Sequence, residues 1–109
     1  MKTMNRPPIL RGRVYRARVS DLGDEYYLVV SNNRRNAQLP HVLAVRLTLA
    51  TKPAMASIVE LPAHEPFRGW ALCDEIDRIY HDEITDDLGP MSPPTMRRVE
   101  HALRAALTL

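Results

Sequence analysis

The chain has 109 residues, 45% of them hydrophobic, with one cysteine, one tryptophan and a formal net charge of +2. That length holds one core-forming domain over residues 1–109, and the apolar share argues against wholesale disorder. Cys73 alone excludes an intrachain disulfide or a cysteine-based zinc cluster, and His41, His64, His81 and His101 show no ligand-type pairing, so neither a metal nor another cofactor is expected.

In chain order, residues 14–19 (VYRARV) alternate with period two, Tyr15, Ala17 and Val19 on one face and Val14, Arg16 and Arg18 on the other, which predicts a half-buried strand. Residues 20–25 (SDLGDE) read as a turn, and residues 26–31 (YYLVVS), β-branched and aromatic, as a second strand completing a hairpin. Residues 32–40 (NNRRNAQLP) are polar and end in proline, so a loop is expected. A third strand over residues 42–48 places Leu43, Val45 and Leu47 on one face and Val42, Ala44, Arg46 and Thr48 on the other. A connection over residues 50–56 is broken by Pro53, a short fourth strand covers residues 57–61, and a fifth covers residues 70–80. Residues 81–88 (HDEITDDL) suggest a short helix. Ser92 and Pro93 then mark a helix start, and Met96, Val99, Leu103 and Leu107 recur at helical spacing through an amphipathic helix of about 15 residues. Five strands and a closing helix make the fold class mainly β with a C-terminal helix (α+β), a small curled barrel with a helical lid.

Charge is segregated along the chain. Residues 1–54 carry ten basic and three acidic residues, and residues 55–109 carry five basic and ten acidic ones. Two readings follow: the halves neutralise each other across a shared surface, or the basic half presents a face to a polyanion. No apolar run approaches the ~20 residues of a membrane span, and the first ten residues lack the apolar stretch of a signal peptide. A cytoplasmic protein with no membrane partner is expected.

The order and wording of these segments resemble the MazF/PemK family of toxin–antitoxin ribonucleases. The match runs from Arg11 to Leu107. It comprises Arg11-Gly12-Arg13-Val14-Tyr15 in the first strand, Val29-Val30-Ser31-Asn32 closing the second, and Asn36 in the following loop. Thr48 ends the third strand, Val59-Glu60-Leu61 forms the fourth, and Leu72-Cys73-Asp74-Glu75-Ile76-Asp77-Arg78-Ile79 matches the fifth. The resemblance implies an SH3-like small barrel of the MazF/PemK/CcdB type, a homodimer, and metal-independent cleavage of single-stranded RNA at a short sequence. It further implies a cognate antitoxin whose acidic tail occupies the RNA groove. In such cleavage the ribose 2′-hydroxyl attacks the adjacent phosphorus, and protein groups move protons and stabilise phosphate charge.

This chain departs from the family pattern where the first loop ordinarily ends in a catalytic Arg-Pro. Glu25-Tyr26 aligns there and the loop is shorter; the alternative alignment matches Glu25 to a Glu of the family's loop. The usual Asp-Gln reads Asp74-Glu75, and the usual Gly-Asp reads Gly12-Arg13. Arg46, two residues from Thr48 on the same strand face and roughly 7 Å away, is the expected substitute clamp for a developing phosphorane. An exposed Arg pairing with a neighbouring acid is the equal rival. The expected catalytic set is Thr48, Arg46 and Glu25. The expected RNA contacts are Asn32, Asn33, Arg34 and Arg35, with Arg13, Arg16 and Glu75 extending the track. A solvated turn is the rival reading for the Asn/Arg run, and solvent-facing strand positions for Arg13 and Arg16. Trp70, Tyr26 and Tyr27 can stack on bases, although core or interface packing is the commoner use of large aromatics.

Two other functions fit the same sequence. One is a non-catalytic RNA-binding relative that lost cleavage with the loop Arg. The other is a protein-targeting toxin like the CcdB gyrase poisons, which use a C-terminal Trp-Gly-Ile; here the last residues are Ala106-Leu107-Thr108-Leu109.

Overall fold

The computed structural model describes residues 7–20 and 23–109. Lys2 and Arg6 of the basic half, and Asp21 and Leu22 of the expected turn, lie outside the described residues. Six strands form one antiparallel sheet: β1 (Arg13–Ser20), β2 (Gly23–Val29), β3 (His41–Thr48), β4 (Ile58–Leu61), β5 (Gly69–Tyr80) and β6 (Ile84–Pro90), in the order β4-β5-β3-β2-β1-β6. Two helices complete the fold, α1 (Asn33–Gln38) between β2 and β3, and α2 (Pro93–Leu107) at the C-terminus.

The period-two alternation sorts the sheet into two faces. Val14, Leu28, Val45, Leu47, Val59 and Ala71 lie on one face beneath Met96, Val99 and Ala102 of α2, forming the larger core. Fully burying a side chain such as Val99 stabilises by about 1.5–3 kcal/mol, so the apolar stripe of α2 is what holds it on the sheet. Tyr15, Ala17, Tyr27, Val29, Val42, Ala44 and Ile79 form a second, smaller cluster on the other face, with Ile9 and Ile84 packed against it. Both faces are therefore buried at Ala44 and Val45 in the middle of β3, and toward its end Arg46 and Thr48 are half-exposed.

Three expectations need correction. Residues 32–40 are not a loop: Asn32 caps α1, its side-chain carbonyl accepting the Arg35 amide hydrogen at 2.8 Å. Cap chemistry accounts for the difference, because an Asn that favours turns equally starts a helix. Residues 81–88 do not form a helix; a single 3-10 turn (His81–Glu83) leads into β6, which pairs antiparallel with β1. Pairing with a strand distant in sequence overrides local helical preference, and it raises the strand number from five to six. The turn expected over residues 20–25 is largely strand, with Glu25 inside β2 opposite Ala17.

The closing helix runs as expected, with Ser92 at its N-cap position, but the Ser92 side chain makes no capping bond to the helix backbone. Instead Ser92 and Thr95 donate their hydroxyls to the buried carboxylate of Glu65, and the Ser92 amide donates to Glu65 Oε1 at 3.0 Å. The loop between β4 and β5 is thereby fastened to the start of α2.

Candidate active site

Arg46 enters the site through strand register. It pairs with Tyr27 across the β2–β3 ladder, and Thr48 pairs with Trp70 across the β3–β5 ladder. Between Val45 and Arg46 the β5 partner jumps from Ile76 to Leu72, so Cys73, Asp74 and Glu75 bulge out of register with β3. That bulge brings Glu75 beside Arg46. The Arg46 Nε donates to Glu75 Oε1 at 3.0 Å and Nη1 donates to Glu25 Oε1 at 3.2 Å.

Three of the expected site residues thus come together: Glu25 from β2, Arg46 from β3 and Glu75 from β5, with Thr48 two residues farther along β3. The side chains of Arg46, Glu25 and Glu75 are 30%, 41% and 49% exposed, so solvent and ligands reach them. The bond to Glu75 raises the Arg46 pKa above its already high ordinary value, so Arg46 is a fixed cation. Thr48 Oγ1 accepts the Ala50 amide hydrogen at 3.1 Å, which leaves its own proton to donate. Tyr27 stands beside Arg46 with its phenol pushed up to about 12, by burial first and then by Asp77 and Glu25. It remains neutral at physiological pH.

Backbone geometry at Gly69 supports the site from below. Gly69 has φ +129°, and a Cβ there would sit 2.2 Å from the Thr48 carbonyl oxygen. Glycine therefore permits β5 to start in close contact with the end of β3. Sequence reading passed over Gly69, since a lone glycine before a strand carries no distinctive signal.

The remaining expected contacts lie elsewhere, most of them with local partners. Asn33 Oδ1 accepts the Arg11 amide hydrogen at 2.7 Å, and Arg35 Nη1 donates to the His41 carbonyl at 3.0 Å. His41 begins β3 and Thr48 ends it, so the His41 end, to which Arg35 of α1 is bonded, lies about 23 Å from Thr48 along the strand. Arg34 of α1 is exposed, whereas Asn36 is buried and donates to the Ser31 carbonyl at 3.0 Å. Arg13 is paired with Asp87 at 3.0 Å, and Arg16 binds Asp86 through Nε at 2.7 Å and also through Nη2. Arg11 pairs with Glu100 at 3.2 Å. Arginines of the basic half thus meet acids of the acidic half, which is the neutralising reading of the charge segregation.

Two further side chains bear on reactivity. Burial pushes the Cys73 thiol up to about 12, with Asp74 adding to the effect, so it is protonated packing rather than a nucleophile. Among the described residues no group of His, Cys, Asp and Glu is arranged to hold a metal ion. No helix among them is long and apolar enough to cross a membrane.

Comparison with known proteins places this arrangement in context. A family model for the PemK-like, MazF-like toxins of type II toxin–antitoxin systems matches residues 10–107. Endoribonuclease MazF1 of Mycobacterium bovis is 40% identical over 106 residues, covering 97% of each chain. Endoribonuclease MazF4 of Mycobacterium tuberculosis matches with the same identity and coverage. A solved mycobacterial endoribonuclease in complex with its cognate antitoxin superposes with a TM-score of 0.87 at 39% identity, over 93% of this chain and 96% of that one. MazF from Deinococcus radiodurans, at 19% identity and a TM-score of 0.82 over 95% of this chain and all of that one, shares the fold.

Proposed function

The chain belongs to the PemK-like, MazF-like toxin family of type II toxin–antitoxin systems, and on that premise we propose that it is an endoribonuclease cutting single-stranded RNA at a short sequence. The observation that carries the catalytic assignment is the placement of Arg46 between Glu25 and Glu75, two residues along β3 from Thr48.

Chemistry follows from those groups. The ribose 2′-oxygen attacks the adjacent phosphorus while its proton passes to the Glu25 carboxylate. Arg46 stabilises the charge that builds on the non-bridging oxygens, and the Thr48 hydroxyl donates a hydrogen bond to one of them. The bond from phosphorus to the 5′-oxygen breaks, and that oxygen takes a proton from solvent, which reaches this half-exposed face. The products are a 2′,3′-cyclic phosphate and a free 5′-hydroxyl. Before reaction a substrate phosphate replaces carboxylate oxygens around Arg46, an exchange that exposed ion pairs permit at little cost.

The same reading makes the protein a cytoplasmic homodimer held in check by an antitoxin whose acidic tail competes for the RNA groove. A mycobacterial relative in the complex described above is itself bound to its cognate antitoxin.

The deciding experiment incubates the purified protein with a long single-stranded RNA in EDTA. Defined fragments with cyclic phosphate ends are expected, and they disappear with Arg46→Ala. RNA binding without any cuts would replace the enzyme by the non-catalytic relative.

A further inference from the structure

The Thr48 side of the sheet continues into a groove that the catalytic set does not use. In the ladders Trp70 has Thr48 as its partner on β3 and Glu60 as its partner on β4. Directly paired residues share a face with Cβ atoms about 4.5–5.5 Å apart. Thr48, Trp70 and Glu60 therefore stand in one row across the strands.

Beside this row lies a cavity of about 510 Å³ bordered by Leu49, Glu60, Arg68, Trp70 and Arg98. It adjoins a second hollow of about 260 Å³ that shares Glu60, Trp70 and Arg98 and adds Lys52. Together they are large enough for a small-molecule-sized ligand. Leu49 at the lip is 71% exposed.

Charge distinguishes the groove from the rest of the sheet. Arg11, Arg13, Arg16, Arg18 and Arg46 all sit in ion pairs, and Arg78 of β5 lies over the Tyr80 ring. Among the described residues neither Lys52 nor Arg68 is in one, and Arg98 spends one nitrogen on the Glu60 carbonyl at 2.9 Å. Three cations thus face one acid around an indole. An unpaired cationic rim beside an aromatic floor is the arrangement that binds single-stranded nucleic acid without a fixed sequence.

We propose that this groove is a nucleotide subsite adjoining the scissile phosphate, in which one base stacks on Trp70 and its backbone phosphate lies among Lys52, Arg68 and Arg98. The proposal rests on the ribonuclease reading and adds to it a residue that governs substrate binding rather than bond cleavage. Glu60, an acceptor beside the stacked base, favours a base that presents N–H donors toward it.

Trp70 is the only tryptophan in the chain, so its emission reports on the groove directly. The probe is a short single-stranded RNA carrying 2′-O-methyl groups, which cannot be cut. Saturable quenching of tryptophan emission is expected, with the same midpoint as fluorescence anisotropy of an end-labelled copy. Replacing both Lys52 and Arg68 by Ala should weaken that midpoint at least tenfold at low salt and flatten its salt dependence by about 1.4 in log–log slope. With cleavable RNA, Trp70→Ala should raise KM at least fivefold while kcat stays within twofold, and Trp70→Phe should restore most of the loss because a phenyl ring also stacks. Thermal unfolding of each variant controls for a misfolded groove.

Binding by anisotropy with unchanged emission overturns the subsite while leaving the ribonuclease reading intact. Absence of both binding and cleavage overturns the two together. Equal quenching by a poly-glutamate peptide would assign the groove to an acidic protein segment instead. An emission shift that depends on protein concentration without RNA would assign it to a second copy of the chain. Either result overturns the proposal.

Discussion

Two carboxylate-centred clusters sit in different parts of this molecule and have opposite characters. Glu65 is enclosed, its side chain 2% exposed, and its oxygens are bonded to the hydroxyls of Ser92 and Thr95 and to the Ser92 amide. Glu25 and Glu75 are open to solvent and hold the Arg46 cation between them. The enclosed cluster gains stability from every bond because no water competes once it forms. The open cluster gains little from its ion pairs, and for that reason its cation can exchange a carboxylate for a phosphate. Stability and chemistry are thus separated onto different carboxylates, and variants at each cluster should fail in different assays.

The largest expected effect is on catalysis. Arg46→Ala should lower kcat/KM on single-stranded RNA by about 10²–10³-fold, the usual loss when one preorganised donor to a developing oxyanion is removed, with the melting temperature little changed. A steep fall in melting temperature with full cleavage would reverse the roles of the two clusters.

Next comes Glu65→Gln, which should cost about 1.5–3 kcal/mol in denaturant unfolding at neutral pH by weakening hydrogen bonds to a buried charge, while kcat of the folded protein is retained. The pH dependence gives a sharper reading. Burial by itself raises the Glu65 pKa, but the bonds from Ser92 and Thr95 outweigh it and hold the carboxyl below its ordinary value. The unfolded chain therefore takes up this proton more readily than the folded one. The contribution is complete above an unfolded carboxyl pKa of about 4.3 and is lost as pH falls through the lower folded value. Acid unfolding of Glu65→Gln should lack that part of the decline, and an unchanged acid limb would show that the cluster does not couple to folding.

A smaller effect is expected at Glu75→Gln. Freeing the Arg46 Nε from a charged partner should lower KM for RNA by about fivefold or less, the scale of an exposed ion pair, with the change shrinking as salt rises. Smallest of all is Arg16→Ala. Its partners Asp86 and Asp24 are surface acids, and RNA affinity by anisotropy should not move. A clear loss there would extend the RNA track onto β1.

Much of the fold was legible in the chain. Alternation separated Val14 from Tyr15 and Ala17 within residues 14–19, and Val45 and Leu47 from Val42 and Ala44 within residues 42–48, and the two core clusters keep both separations. The 3- and 4-residue recurrence of Met96, Val99 and Leu103 located α2. Of the segments misread, α1 turned on a local cap at Asn32, whereas β6 exists because a distant strand, β1, is there to pair with it. At the site, spacing along β3 put Arg46 and Thr48 on one face. Nothing local indicated that Glu75 would join them, since adjacent positions on a regular strand point to opposite sides.

Sequence alone therefore determined the family, the faces of β1 and β3 and the closing helix, because side-chain periodicity and short motifs are written within a single element. Tertiary structure decided which charges meet. The three-residue slip in β5 opposite Val45 and Arg46 delivers Glu75 to the guanidinium, the β1–β6 pairing ties Arg13 and Arg16 to Asp87 and Asp86, and the turn of chain before β5 carries Glu65 to the start of α2. Each of these contacts joins residues about 27 to 74 positions apart, a separation at which only strand register and packing, and not local propensity, set the neighbours of a side chain.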